Sequence, residues 1–533
     1  MTTSTITRRD FLVGASDKAL QPLKAACIPD TPAPNPSLAE HAAQRLQFGA
    51  APGDVVRIAA LGFDAFVDEQ LAPASIDDAA CQAMIDSKGF VTFGESWAQL
   101  YDRRNHATYA EAIRPLSEVS HATWIRMIHS RRQLQERVVN FWHDHFSVQG
   151  SQFIVRSMFT KWDETIRAHA LGNFRAMLEA VAKHPVMLYY LDNYLNTRNG
   201  PNENWAREMF ELHTMGDINY RPGINPTVTC DSTVDADGDG IRDFYYDNDV
   251  YEAARAFTGW TYEQAGDSPS RGQYKYVDGS HDHFNKFVMC RYFEANLGPE
   301  EDAKSVLDIL AFHPGTARHL AFKLCRRFVS DNPPDELVIA VADEFRRLKD
   351  SPNQIRETLR FLLKRQEFRD ARSTKMKRPL EWTVSAMRVL GIPYVISANF
   401  SIEWVYNDMG QPLFGWRPPD GPPDVAEYWA SSNGMLRRWN FVYTTVSGWW
   451  NNQGFNYSTT GIMPDEIRTP AEVADFWAAR LIARGISGPT REGLIQFVAE
   501  GRDPDTPLAQ SEIEEKVAYL AALCTMTPEF MRM

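Results

Sequence analysis

Apolar side chains recur every three to four residues along most of the chain, the period at which a helix presents one buried face. From Ser37 to about Ala72 the pattern gives helix, glycine-containing break and helix, with Pro52-Gly53-Asp54 marking a capped restart. Residues 120–147 read as one long helix. Val138, Phe141, Trp142 and His145 share its inward face, whereas His143 lies roughly 160° from Phe141 and points elsewhere. Residues 163–195 predict two helices parted at His184-Pro185, since proline disfavours helical geometry in the residue before it. Further helices are expected at about Asp302–Leu310, Pro314–Ser330, Glu336–Leu348, Ile355–Arg365 and Pro379–Leu390, and again from Thr469 to the end. Residues 261–296 predict a loop or short hairpin, and residues 399–462 interrupt the helical period with Gly-Pro clusters and many aromatics. The fold class is therefore mainly α, a large multi-helical body with a loop-rich aromatic C-terminal portion. The expected division is a tail over 1–36, a helical body over 37–398 with an acidic insertion at about 219–248, and a segment over 399–533 packed on the body.

The stretch Asn202–Gly216 concentrates three carboxylates, an Arg and a His in about four helical turns. Asn202 is placed to cap it and Gly216 to stop it, and Trp205, Met209 and Leu212 mark its buried face. At 100° per residue, Arg207, Glu208 and Glu211 share a polar stripe with Asn204, while His213 falls near Met209. A site using both Glu211 and His213 therefore requires the last turn to unwind. Downstream, Asp249-Val250-Tyr251-Glu252 predicts a capping box for a helix running to Trp260.

Composition narrows the partners. Against 56 basic residues stand 69 acidic ones, net −13, so the chain lacks the electrostatic footprint of a nucleic-acid binder. No stretch approaches the length of a membrane span. Six scattered cysteines form no metal-finger spacing and leave room for one or two disulfides. Thr7-Arg8-Arg9-Asp10-Phe11-Leu12 is similar to a twin-arginine export signal and points to a periplasmic or extracellular address. Asp17 and Lys18 cut its apolar run short, which keeps a cytoplasmic address open.

Within the acidic insertion, Asp235, Asp237, Asp239 and Asp243 occupy loop positions 1, 3, 5 and 9, with Gly240 at 6 and the carbonyl of Ile241 at 7. That alternation wraps oxygens around one hard cation, so structural calcium is the expected occupant, with Asp247 as closing ligand. Position 12 is Tyr246, which distinguishes the loop from an EF-hand.

Several stretches together resemble one bacterial family, DUF1800, whose function is unknown. They are Arg45–Ala50, Phe141–Val148, Ile166–Arg175, Asn202–Gly216, Ala253–Trp260, His281-Asp282, His313-Pro314, Lys323–Val329 and Lys377–Glu381. The resemblance spans roughly residues 40–450 and implies a predominantly helical, often exported protein. The acidic insertion departs from its usual pattern.

The functional expectation is an extracytoplasmic enzyme that cleaves a polysaccharide by hydrolysis or β-elimination. Glu208, Glu211, His213, His281 and Arg207 would supply acid–base and charge-stabilising groups, because paired carboxyls or a His base with a cation serve those two reactions. Trp416, Trp429, Trp449 and Trp450 would offer a sugar platform. One alternative is a redox metalloprotein holding iron or copper at clustered histidines, His145 and His169 among them. Another is a calcium-stabilised surface protein without catalysis. Lys323, Arg326, Arg327, Lys377 and Arg378 are expected on a solvated face or in internal ion pairs.

Overall fold

The computed structural model describes residues 33–222, 238, 240–396, 402–450, 457–482 and 484–533. The described residues form two compact units, a larger one within 36–457 with 531–533, and a smaller one within 458–530 with residues 33–35. The described residues of 402–457 fall in the larger unit.

The larger unit is mainly α. Its principal helices are α1 (Leu38–Arg45), α2 (Tyr109–His129), α3 (Gln133–His145), α4 (Phe153–His169), α5 (Phe174–Ala182), α6 (Asn204–Glu208) and α7 (Asp247–Ala256). Two small antiparallel hairpins follow, β1 (Trp260–Tyr262) with β2 (Tyr274–Tyr276) and β3 (Lys286–Val288) with β4 (Arg291–Phe293). Then come α8 (Glu301–Phe312), α9 (Pro314–Phe328), α10 (Asp335–Arg347), α11 (Gln354–Lys364), α12 (Pro379–Leu390) and α13 (Ser432–Val446). Shorter helices between them are named by residue. α2 packs along α4 and α12, α9 along α10, and α5 against α8, while α7 lies on β3. The smaller unit is a three-helix cluster of α14 (Pro470–Leu481), α15 (Gly488–Ala499) and α16 (Gln510–Met526).

Local chemistry explains where the helical reading held and where it did not. The break at His184-Pro185 is present, with His184 Nδ1 accepting from the Val186 amide at 3.2 Å. The single helix expected over 120–147 is instead two. Ser130 turns the chain by bonding Asp78 at 2.8 Å and accepting from the Arg132 amide at 3.0 Å, a local competitor for helical bonding. His143 does not face solvent. It is as buried as the core around it and meets Asp163 at 3.0 Å, because α4 covers the side of α3 opposite Phe141. α7 begins at Asp247 rather than after Asp249, and Asp249 lies inside it, accepting from the Tyr246 amide at 2.9 Å. α13 was hidden by its aromatic content, yet Arg438, Phe441, Val442 and Thr445 bury one face at helical spacing.

Candidate active site

The stretch Asn202–Gly216 changes helix type in its middle. α6 ends at Glu208, and Met209–His213 continue as one π-helical turn, in which bonds reach five residues instead of four. His213 keeps the buried side of Met209 that helical spacing gives it. It is fully buried, beside Trp205 at 5.7 Å and Phe146 at 5.1 Å between ring centroids, and neither ring nitrogen has a hydrogen-bond partner. The chain then turns at Gly216, whose φ of +84° suits glycine. A Cβ there would also stand 2.6 Å from His319 Nδ1, so α9 packs directly on this turn.

α3 and α9 meet the π turn through its carbonyls. His145 Nε2 lies 3.1 Å from the His213 carbonyl, and His319 Nε2 lies 3.2 Å from that of Leu212. One turn along α9, Lys323 Nζ reaches His145 Nδ1 at 2.8 Å. Because a carbonyl only accepts, His145 carries its proton on Nε2 and offers Nδ1 to Lys323. Burial, then the charge of Lys323, depresses all three imidazoles: His213 and His319 to about 3, and His145 well below the usual range.

Behind this cluster lies a buried ionic lattice. Asp144, next to His145, receives Arg327 at 2.8 Å and Arg378 at 3.0 Å, and both arginines also bond Asn140 Oδ1. Arg327 reaches Asp424 at 2.6 Å, and Lys375 meets the same carboxylate at 3.2 Å. Glu381 faces Arg137 at 3.1 Å and Arg378 at 3.4 Å. Burial alone would raise the Glu381 carboxyl, but Arg378 and Arg137 prevail and hold it down at about 2. Asp424 is likewise held low against its burial, by Arg327, Lys375 and Arg378. Arg45 ties the periphery with donations to the carbonyls of Val329, Ala371 and Met533.

The loop carrying Arg417-Pro418-Pro419-Asp420-Gly421 closes over the end of α3. Gly421 (φ +76°) sits so close that a Cβ would meet the Asp144 carbonyl at 2.0 Å, so only glycine lets the loop seat there. Tyr190 donates to the Arg417 carbonyl at 2.6 Å, and Trp416 Nε1 donates to Asp420 at 3.2 Å. A cavity of about 30 Å³, water-sized, lies behind, lined by Asn140, Asp144, Tyr406 and Trp416.

Glu208 is the last residue of α6. It is half-buried, and burial, then the negative charges of Glu211 and Asp420, push its carboxyl up to about 7 against the opposing Arg207. A carboxylic acid that keeps its proton near neutral pH is a proton donor. Glu208 thus feels the charges of Glu211 and Asp420, Asp420 also acts on Lys323, and the charge of Lys323 acts on His213 and His319.

The remaining candidates divide. Arg207 is bound to Glu203 at 3.0 Å and Asp247 at 3.1 Å, so it braces α6 against α7. His281 sits in another network, its Nδ1 2.9 Å from the Thr258 carbonyl and its Nε2 3.2 Å from Asp302, which also receives Lys286 at 2.8 Å. It pins the β1–β2 hairpin and shares no partner with Glu208. His145 has both ring nitrogens engaged, Nε2 by the His213 carbonyl and Nδ1 by Lys323 Nζ. His169 lies at the end of α4, half-buried. Among the described residues, no group of three or more His, Cys, Asp or Glu is arranged to hold a metal ion.

Asp235, Asp237 and Asp239 lie outside the described residues. The C-terminal side of their loop is anchored: Arg242 pairs with Asp249 at 2.7 Å and its carbonyl meets His313 at 2.9 Å. Asp243 is half-buried, Ile241 lines a surface cavity with Arg291 and Tyr292, and Asp247 is taken by Arg207 and by the Tyr220 hydroxyl at 3.0 Å. Of the aromatics, Trp416 meets Trp429 and Tyr428 edge-on. Trp429 is buried and donates to the Pro423 carbonyl at 2.7 Å, so it shapes the loop. Trp449 is 78% exposed, and Trp450 packs on Phe441.

Sequence reasoning missed Asp144, His319, Asp420 and Tyr190, and placed Lys323 and Arg327 among solvated or paired charges. A signal was available: His319, Lys323 and Arg327 recur at i, i+4 and i+8, one stripe of α9. The described fold is mainly α, with a buried ionic lattice of Asp144, Asp424 and Glu381 against Arg137, Arg327, Arg378 and Lys375. The chain belongs to the family described as "Protein of unknown function (DUF1800)", which it matches over residues 41–532. No match is found among curated proteins or solved structures.

Proposed function

We propose that the protein is an extracytoplasmic enzyme that cleaves a polysaccharide by hydrolysis, with Glu208 as general acid. The observation that carries this reading is the half-buried Glu208 carboxyl, raised to about 7 by burial and by the charges of Glu211 and Asp420. Hydrolysis of a glycosidic bond needs one carboxyl that gives a proton to the leaving oxygen and a second negative group that supports the oxocarbenium-like carbon or activates water. Glu208 fits the first role. Asp420 and Glu211 are placed for the second, since their charges already act on Glu208. Trp416 and the 53% exposed Tyr428 supply flat faces for sugar rings beside Asp420. The disulfide at Cys290 supports an oxidising address, as does the twin-arginine-like start.

The test is a panel of neutral and acidic glycans assayed for reducing ends and for absorbance near 235 nm. Reducing ends without that absorbance are expected, and Glu208→Gln should lower the rate by about 10²–10⁴. New absorbance would replace hydrolysis by β-elimination. Unchanged turnover in Glu208→Gln, or no cleavage of any glycan, would remove the proposal.

A further inference from the structure

Lys323 differs from the other basic residues near the site. Arg327, Arg378 and Lys375 each face carboxylates, whereas the hydrogen-bond partner of Lys323 is a neutral imidazole, His145 Nδ1 at 2.8 Å. Among the described residues no carboxylate lies within ion-pair distance of its Nζ. An unprotonated amine at this position keeps one N–H on Nδ1 and has its lone pair free, and the His213 carbonyl holds the imidazole in the tautomer this requires. Lys323 as a residue keeps some exposure to solvent.

The charges around it have been set against one another. Burial disfavours the ammonium most and Arg327 adds to that, while Asp144, Asp420 and Asp424 favour it; the amine is left at about 8. His145, His213 and His319, which also face it, are held neutral.

We propose that Lys323 is a reactive amine that captures an aldehyde or ketone, such as the open-chain form of a reducing sugar, as an imine. The nitrogen attacks the carbonyl carbon to form a carbinolamine, and water then leaves with the carbonyl oxygen. C=N replaces C=O, with no change of oxidation state. His145 is a positioning residue in this step, because it holds the amine without neutralising it as a carboxylate would. The inference stands apart from glycan hydrolysis, since it needs neither Glu208 nor a glycosidic bond.

The experiment treats the full-length protein with limiting glycolaldehyde and cyanoborohydride, followed by peptide mapping. Lys323 should be alkylated roughly tenfold or more faster than the exposed Lys275 at pH 7.5, with a rate that levels off above about pH 8 rather than near 10.4. Lys323→Arg should lose that adduct alone. His145→Gln should move the pH midpoint, and Glu208→Gln should leave labelling intact, which separates this proposal from the hydrolytic one. Labelling of Lys323 no faster than of Lys275, or with the pH profile of an exposed lysine, would overturn it.

Discussion

Replacing Glu208 by Gln tests the electrostatics of the site without any substrate. A carboxyl moved from its ordinary 4.5 to about 7 has its ionised form penalised by about 3 kcal/mol, at 1.36 kcal/mol per unit. That figure is a ceiling, since Glu208 is only half-buried; solvent screening leaves about 1–2 kcal/mol. The sign follows from proton uptake. Between about pH 4.5 and 7 the folded protein holds a proton that the unfolded chain has lost, so stability falls as pH rises through this window and the cost is fully present above it. Glu208→Gln, which cannot ionise, should escape this loss. Urea unfolding of the larger unit, measured for both proteins from pH 4.5 to 8, should show the variant gaining about 1–2 kcal/mol on the wild type, because other titrating groups cancel in the comparison. Glu211→Gln should recover part of the same gain, the part owed to its charge rather than to burial. Parallel curves for wild type and Glu208→Gln would refute the raised carboxyl and, with it, the assignment of Glu208 as acid.

Three further outcomes are expected. Glu381→Gln leaves Arg137 and Arg378 short of a buried counter-charge and should cost about 3–5 kcal/mol in chemical denaturation, where a change below about 1 kcal/mol would contradict the lattice. His281 is pulled down by burial but raised overall by Asp302, so its contribution is complete below about pH 6.5 and lost as pH climbs through the higher folded value. Amide exchange in β1–β2 should accordingly quicken above neutrality in the wild type, and not in Asp302→Asn. Removing calcium with a chelator should lower the melting temperature and its return should restore it, a site filled at a hundredfold excess over Kd being worth about 2.7 kcal/mol; no response to either would dismiss the calcium loop.

The helical period alone determined most of the fold. Pro379–Leu390 appears at its expected bounds, and α8 to α11 fall within a residue or two of theirs, because each carries an uninterrupted apolar stripe. Adjacency within one helix was equally legible: Glu208 and Glu211 share a stripe, and their charges do interact. What sequence could not supply was the choice among distant partners. Nothing local distinguishes Lys323, which meets an imidazole, from Arg327 one turn later, which meets Asp144 and Asp424. Helix periodicity already sets His213 beside buried Met209 but does not foresee the π turn there, since one residue accommodated over a turn costs little locally and is settled by the packing of Trp205, Phe146 and His319 around it. Asp420 became part of the site only because Gly421 allows its loop to lie on the end of α3. Secondary structure and side-chain facing follow from interactions within a few residues, which the chain states directly. The site rests on contacts between distant segments, 68 residues apart for His145 and His213 and 178 for His145 and Lys323, and only close packing in three dimensions decides those.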